Sequence, residues 1–168
     1  FERHPTFAAG AGRHEFDGRL PDWSPEGLQE EIAWLKAEGS RADEGFDPTT
    51  LDERRGFERE ALIATIDSEL FWLEAAEWPW RNPLFYAGPL DPNLYLSREY
   101  APLEQRMRAY VDYARAVPRA AVQIRDNLRT PMPRAFAELG EISFGGLAPY
   151  YESDVPALFA GVEDADLQ

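Results

Sequence analysis

The sequence predicts an all-α protein, an irregular bundle of about five to seven helices with one long helix near residues 51–77. Proline directly follows Ser, Asp or His at several places, a pairing that marks helix starts. Apolar residues return every three or four positions, and few segments alternate between polar and apolar residues as strands do. A length of 168 residues suits a single helical domain or one large piece of a larger helical protein.

The first two helices are predicted from their ends. His4-Pro5 begins a short helix, and the glycines around Ala11 form the turn that ends it. Ser24 then caps a second helix with Pro25 at its first position, and Gly39 is placed to end it. The apolar positions on the inner face of this second helix are Leu28, Ile32 and Leu35.

The long helix is predicted over residues 51–77, where the chain contains no proline. Asp47-Pro48 gives its start signal, and Trp78-Pro79 closes it, because the residue before proline avoids helical geometry. A helix of this length would extend about 40 Å. Its core-facing positions are Leu62, Ile66, Leu70 and Leu73.

The second half of the chain is divided by prolines. Residues 79–97 are rich in proline and aromatic side chains, so we expect an ordered, packed connection. Helices follow over about residues 102–117, from Pro118 to about residue 128, and over about residues 134–151. The face predicted for the first of these three is formed by Leu103, Met107, Tyr110 and Ala114. Glycines at 140, 145 and 146 permit very close packing of the last helix.

Composition excludes several function classes. A net charge of −14 argues against nucleic-acid binding, which needs clustered Lys and Arg. No apolar stretch is long enough to span a membrane. Without cysteine there is no disulfide framework, thiolate nucleophile or Cys-based zinc site. The sequence leaves the location open: soluble and cytoplasmic, or exported after removal of a signal.

No complete catalytic motif is present. His14-Glu15 begins the H-E-x-x-H zinc motif, but position 18 is Gly. The sequence contains no G-x-S-x-G elbow and no phosphate-binding glycine loop. Glu74 and Glu77 could act as an acid and base pair, although a solvated helix face is the simpler interpretation among so many acids. These residues alone therefore predict no catalytic group and no metal ligand.

One loop has a higher density of ionisable residues than its surroundings. It covers residues 12–22, between the first two helices, with glycines that let the backbone bend. Functional residues often lie on such loops. A network of turn and cap hydrogen bonds is the alternative. The candidate substrate-binding residues are His14, Asp17 and Arg19.

The order of several blocks resembles the N-terminal part of the bacterial DUF885 family. The strings that carry the resemblance are G-x-H-E-x-D-G-R-L-P-D, a Ser-Pro-capped helix, a long helix with ELFWLE, NPLFY, and the segment that begins LSREYAPLEQ. They occupy residues 12–22, 24–35, 51–74, 82–86 and 96–128.

The resemblance implies a fold similar to the N-terminal half of zinc carboxypeptidases that form a cleft from long helices. It also implies a zinc helix in the C-terminal half of the parent protein, so no cofactor is expected within this chain. We therefore expect an N-terminal cleft wall or lid of a metal-dependent peptidase. Its partners would be the C-terminal part of the parent chain and a peptide substrate.

The alternative from another class is a stand-alone helical interaction module. Its binding surface would be the arginines of residues 98–130, which could instead pair within the chain, or the aromatic loop over residues 78–86. The arginines proposed for that surface are Arg108, Arg115 and Arg119.

Overall fold

A computed structural model describes residues 1–160 and contains helices joined by turns, with no strand in that range. The all-α prediction is confirmed. The chain forms two compact units. One combines Phe1–Trp23 with the segment that begins at Pro79, and the other is Ser24–Trp78.

The unit over Ser24–Trp78 is a pair of helices, α2 (Pro25–Glu44) and α3 (Glu53–Leu70). Ser24 caps α2 as predicted, because its Oγ accepts a 3.1 Å hydrogen bond from the backbone N–H of Gly27. The three predicted inner positions of α2 are buried. Gly39 does not end the helix, which continues to Glu44. A Cβ at position 39 would lie 3.4 Å from a methyl group of Ile66, an ordinary van der Waals contact, so Gly39 lies on the face of α2 that packs against α3.

Helix α3 is shorter than the predicted long helix at both ends. Asp47 caps only a 3-10 turn, Pro48–Thr50, and Asp52 caps α3 by accepting from the Arg55 N–H at 2.8 Å. At the other end the helix passes into a π-helical turn, Phe71–Ala75. Of the predicted core positions, Ile66 and Leu73 are buried, Leu70 is half-buried and Leu62 is exposed.

The other unit begins with α1 (Pro5–Gly10) and resumes with short helices in the proline-rich connection. This connection is ordered and packed, as predicted. Its Tyr86 is fully buried, and the Tyr86 hydroxyl donates a 2.6 Å hydrogen bond to the Pro79 carbonyl. The elements are α4 (Trp78–Arg81), 3-10 turns at Pro83–Tyr86 and Gly88–Leu90, and α5 (Asn93–Ser97).

Helix α6 (Leu103–Asn127) is continuous through Pro118, so the predicted break there is wrong. Pro118 is exposed, and its ring is accommodated on the solvent side of the helix. The predicted face of α6 is only half-buried. The buried face of α6 lies beside the predicted one. Two of its members, Arg106 and Asn127, are polar and donate hydrogen bonds to backbone carbonyls. Its members are Arg106, Tyr113, Ala120, Ile124 and Asn127.

The chain continues with α7 (Arg134–Pro149), a π-helical turn (Tyr150–Asp154) and α8 (Val155–Leu158). Gly140 has the close packing predicted for the glycines of this helix, since a Cβ there would lie 2.6 Å from Pro83 Cγ. Gly145 and Gly146 have open space around them. Between residues 1 and 160, none of the helices combines the length and hydropathy that crossing a membrane requires.

Candidate functional site

The loop between α1 and α2 is held in shape by two glycines and one 3-10 turn. Gly12 and Gly18 have φ values of +88° and +76°, which a side chain would strain. Between them His14–Phe16 forms the turn and buries Phe16. A Cβ at Gly18 would lie 2.7 Å from Asp112 Cβ, so the loop also lies against α6. The glycines predicted to bend this loop therefore have that role.

His14 and Asp17 come together with Tyr100, which is distant in the sequence. Asp17 Oδ1 lies 3.3 Å from His14 Nδ1, and Asp17 Oδ2 accepts a 2.9 Å hydrogen bond from the Tyr100 hydroxyl. The imidazole stacks on the Tyr100 ring with 3.9 Å between centroids and 5° between planes. The three side chains form one cluster, which we call the His14 cluster.

Burial differs across the His14 cluster. The Asp17 side chain is 13% exposed, whereas His14 keeps 34% of its side-chain surface in solvent. Burial, together with the adjacent Asp17 carboxylate, raises the pKa of Tyr100. Tyr100 therefore remains a hydrogen-bond donor over the physiological pH range. The Tyr100 hydroxyl thus holds the Asp17 carboxylate, and the group that a ligand in solvent can reach is the His14 imidazole.

A second layer of backbone contacts holds this cluster in place. The Tyr95 hydroxyl accepts a 3.0 Å hydrogen bond from the backbone N–H of Gly18, and burial raises the pKa of Tyr95 to about 12. Arg106 is buried and donates from Nη1 to the carbonyls of Tyr95 and Leu96, and from Nε to the carbonyl of Ala101. The guanidinium thereby fixes the segment that presents Tyr100.

Arg19 does not join the cluster. Its guanidinium lies over the ring of Phe16 at 5.4 Å and pairs with Glu2 at 3.4 Å on the surface. Two of the three predicted site residues are therefore brought together, and the third faces elsewhere.

The cluster is suited to binding and orienting a polar group. When Nδ1 carries the imidazole proton it donates to Asp17, and Nε2 is then left with a lone pair. An Nε2 atom in this state accepts a hydrogen bond from an amide N–H, such as that of an extended peptide. Stacking on Tyr100 limits rotation of the ring, so the direction of that lone pair is set by the fold.

A groove of about 560 Å³ and another of about 480 Å³ lie on the same unit. The smaller one is lined by Tyr95, by Gly10 and by Arg98, whose Nη1 donates a 2.9 Å hydrogen bond to the Gly10 carbonyl. Tyr95 thus borders this groove while its hydroxyl holds the loop of the His14 cluster. The larger groove has an acidic lining that includes Asp91 and Asp154.

The other sequence candidates are engaged in contacts within the chain. Glu74 accepts from Lys36 Nζ at 2.7 Å, so it is part of the α2–α3 pair. The arginine surface is neutralised locally, because Arg108 pairs with Glu104 at 2.7 Å and Arg115 with Asp112 at 3.3 Å. Arg119 approaches Asp22 at 3.6 Å.

Sequence reasoning missed Tyr100, Tyr95 and Arg106. Tyr100 lies 83 positions from its partner Asp17, and no local spacing indicates such a contact. A signal for Arg106 was its spacing of seven from Tyr113, which puts an arginine on one helix face with an aromatic residue and indicates a buried cation with carbonyl partners.

Zinc was expected from the family resemblance, with its ligands outside this chain. Between residues 1 and 160 no group of three or more His, Asp or Glu side chains is arranged to hold a metal ion. The described residues therefore do not by themselves form a zinc site, and no catalytic step through a metal is assigned to them.

Comparison with known proteins identifies the family. Residues 5–166 match the model of DUF885, described as a bacterial protein of unknown function. The chain belongs to the DUF885 family. None of the curated proteins matches it.

This DUF885 chain is also similar to a solved structure from Shewanella oneidensis, described as a "putative lipoprotein of unknown function". The TM-score is 0.83 at 20% sequence identity, so the similarity shows a shared fold. The match covers 96% of this chain and 29% of the other one. The chain thus spans less than a third of the length of that protein.

Proposed function

We propose that this chain is the N-terminal helical part of a longer DUF885 polypeptide and forms one wall or lid of the substrate cleft of a zinc-dependent peptidase. The observation that carries the placement within a longer polypeptide is the 0.83 TM-score match to under a third of a longer protein, and the peptidase role is what the resemblance to the DUF885 family implies. The remainder of the polypeptide supplies the groups that cleave the amide. The neighbour's description as a lipoprotein favours export among the locations left open by the sequence.

The His14 cluster contributes substrate contacts in this proposal. His14 Nε2 accepts a hydrogen bond from a backbone N–H of a bound peptide, and Asp17 and Tyr100 act as positioning residues for the imidazole. A lost hydrogen bond of this kind weakens binding by about three- to tenfold. Because the contact is made equally in the ground state and the transition state, its loss raises KM and leaves kcat nearly unchanged.

The test uses the complete polypeptide encoded with this chain and a library of quenched fluorescent peptides, with zinc added or chelated. Hydrolysis that needs zinc and the complete polypeptide is expected. Hydrolysis of peptides by residues 1–168 alone, or tight stoichiometric zinc binding by them, would contradict the proposal. A reading frame that ends directly after Gln168 would also contradict it.

Two substitutions of the same residue test the role of His14. The amide of Asn in His14→Asn can reach Asp17 as Nδ1 does but has no atom at the Nε2 position. The longer His14→Gln places a polar atom near Nε2. We expect H14N to raise KM about three- to tenfold and H14Q to retain most of the binding. The exposed His4 provides the control, and H4N should leave KM unchanged.

A further inference from the structure

The outer face of α3, continued to the first residue of the π-helical turn that follows it, carries an uncharged strip. Its members recur at alternating steps of four and three residues and are all exposed. We call this face the α3 strip. It is formed by Phe57, Ala61, Ala64, Ser68 and Phe71.

The α3 strip lies on the side of the helix away from α2. Ile66, which meets Gly39 of α2, is buried and lies half a helical turn from Ala64 and Ser68. Pairing with α2 therefore uses the opposite face. Phe57 and Phe71 remain 71% and 53% exposed. A single exposed phenylalanine is common, but an exposed line of phenylalanine and small residues without a charge is typical of a surface that binds another protein segment.

The spacing and the charges of the strip define what would fit it. Alternating steps of four and three match the seam of two helices packed along each other. The strip extends about 21 Å, or about four helical turns. Both edges carry acidic residues, although Glu58 already pairs with Arg54 at 2.9 Å, so a complementary helix has an apolar seam flanked by Lys or Arg. The edge residues are Glu60 and Asp67 on one side and Glu58 and Glu69 on the other.

An aromatic group marks one end of the strip. The ring of Phe71 lies 5.1 Å from that of Trp72, and the Trp72 ring lies 4.1 Å from that of Trp78. Trp72 is itself 37% exposed, at the π-helical turn that follows α3. Trp is enriched among the few residues that provide most of the binding energy at protein interfaces.

We propose that the α3 strip is the docking surface for a helix of the remaining DUF885 polypeptide, an amphipathic helix with basic edges. This inference rests on the proposed function, because it requires a longer polypeptide. The fold neighbour is more than three times as long as the segment that this chain matches, and so has room for such a helix. A second copy of α3 is a poor occupant, since it would bring the same acidic edges into contact.

The test compares hydroxyl-radical labelling of the complete polypeptide with that of residues 1–168. Phe57 and Phe71 should be oxidised about fivefold more slowly in the complete polypeptide, as in the core of an interface. Phe46 is the internal control, because it is 52% exposed and lies outside the strip. Equal oxidation of Phe57 and Phe71 in both samples overturns the proposal. Protection that appears in residues 1–168 alone as their concentration rises indicates a second copy and also overturns it.

A pair of substitutions gives an independent readout. Ala64→Arg places a long cation in the middle of the strip, where it is tolerated beside Glu60 in residues 1–168 but opposes the basic edges of the occupant. Ala37→Arg makes the same change on the exposed outer face of α2. We expect A64R to lower the Tm of the complete polypeptide by several degrees more than A37R, with no such difference in residues 1–168. Equal effects in the complete polypeptide overturn the proposal.

The outcomes separate this inference from the proposed function. Protection of the strip in a polypeptide without peptidase activity supports the docking surface and contradicts the function. An active zinc peptidase with an unprotected strip contradicts the docking surface alone. A reading frame that stops after Gln168 contradicts both.

Discussion

Asn127 donates a 3.2 Å hydrogen bond from Nδ2 to the hydroxyl of Tyr86, and both side chains are buried. The same Nδ2 donates to the Trp23 carbonyl at 2.7 Å, and the Tyr86 hydroxyl donates to the Pro79 carbonyl. One amide at the end of α6 therefore connects the proline-rich connection with the segment that precedes α2. Each buried polar group of this network has a partner, so loss of one member leaves another without a hydrogen bond.

Removal of this amide should destabilise the chain strongly. Asn127→Ala leaves the Trp23 carbonyl buried without its donor, which costs about 1–3 kcal/mol in the free energy of unfolding. Urea unfolding followed by tryptophan fluorescence measures the change. Asn93 provides the control, because it is exposed and accepts a hydrogen bond from Tyr150 on the surface. N93A should cost less than about 0.5 kcal/mol. Equal effects of N127A and N93A would show that the network contributes nothing.

Stability should fall at alkaline pH because of buried phenols. Burial raises the pKa of Tyr86, Tyr95 and Tyr151 from 10 to about 12. Their contribution is complete below pH 10 and is lost as the pH rises towards 12, because the unfolded chain loses these protons first. Each phenol contributes a slope of at most about 1.4 kcal/mol per pH unit in that window. Urea unfolding at several pH values measures the slope, and Tyr86→Phe should make it shallower. An unchanged slope in Y86F would exclude a role for this hydroxyl.

Glu77 is a position where glycine should increase the stability of the fold. It has a φ of +50°, which a side chain occupies at a cost of about 1 kcal/mol. Glu77→Gly relieves that cost, whereas Glu77→Ala removes the same carboxylate and keeps the strain. We expect E77G to be more stable than E77A by about 1 kcal/mol, measured by thermal and urea unfolding. A greater stability of E77A would indicate that glycine entropy outweighs the strain.

Local sequence signals predicted where the helices lie, whereas the buried faces and the side chains that meet at the candidate site depend on contacts between distant residues. Ser24 was predictable as a cap because its partner Gly27 is three residues away. The predicted helix break at Pro118 was wrong. Pro118 lies on the exposed side of α6, where a helix tolerates proline, and which side of α6 is exposed depends on what the helix packs against. The same limit applies to the site. Local density nominates His14 and Asp17 as candidates, whereas Tyr100 reaches them by a contact across 83 positions that spacing does not encode.

Two glycines of the site loop allow backbone strain to be separated from crowding. Gly12 and Gly18 both have positive φ, but a Cβ at Gly12 meets nothing within 4 Å, whereas one at Gly18 would lie 2.7 Å from Asp112 Cβ. Gly12→Ala should therefore cost about 1 kcal/mol from strain alone. Gly18→Ala adds an overpacking cost of about 1–3 kcal/mol and displaces Asp17.

Urea unfolding measures the two costs, and NMR spectra of the His14 ring protons report its stacking on Tyr100. G18A should shift those resonances and G12A should leave them nearly unchanged, because only Gly18 adjoins Asp17 and lies against α6. If both variants lose the same stability and keep the same His14 resonances, the contact with α6 does not position the loop. In that case the geometry of the His14 cluster depends on Tyr100 and Arg106 instead.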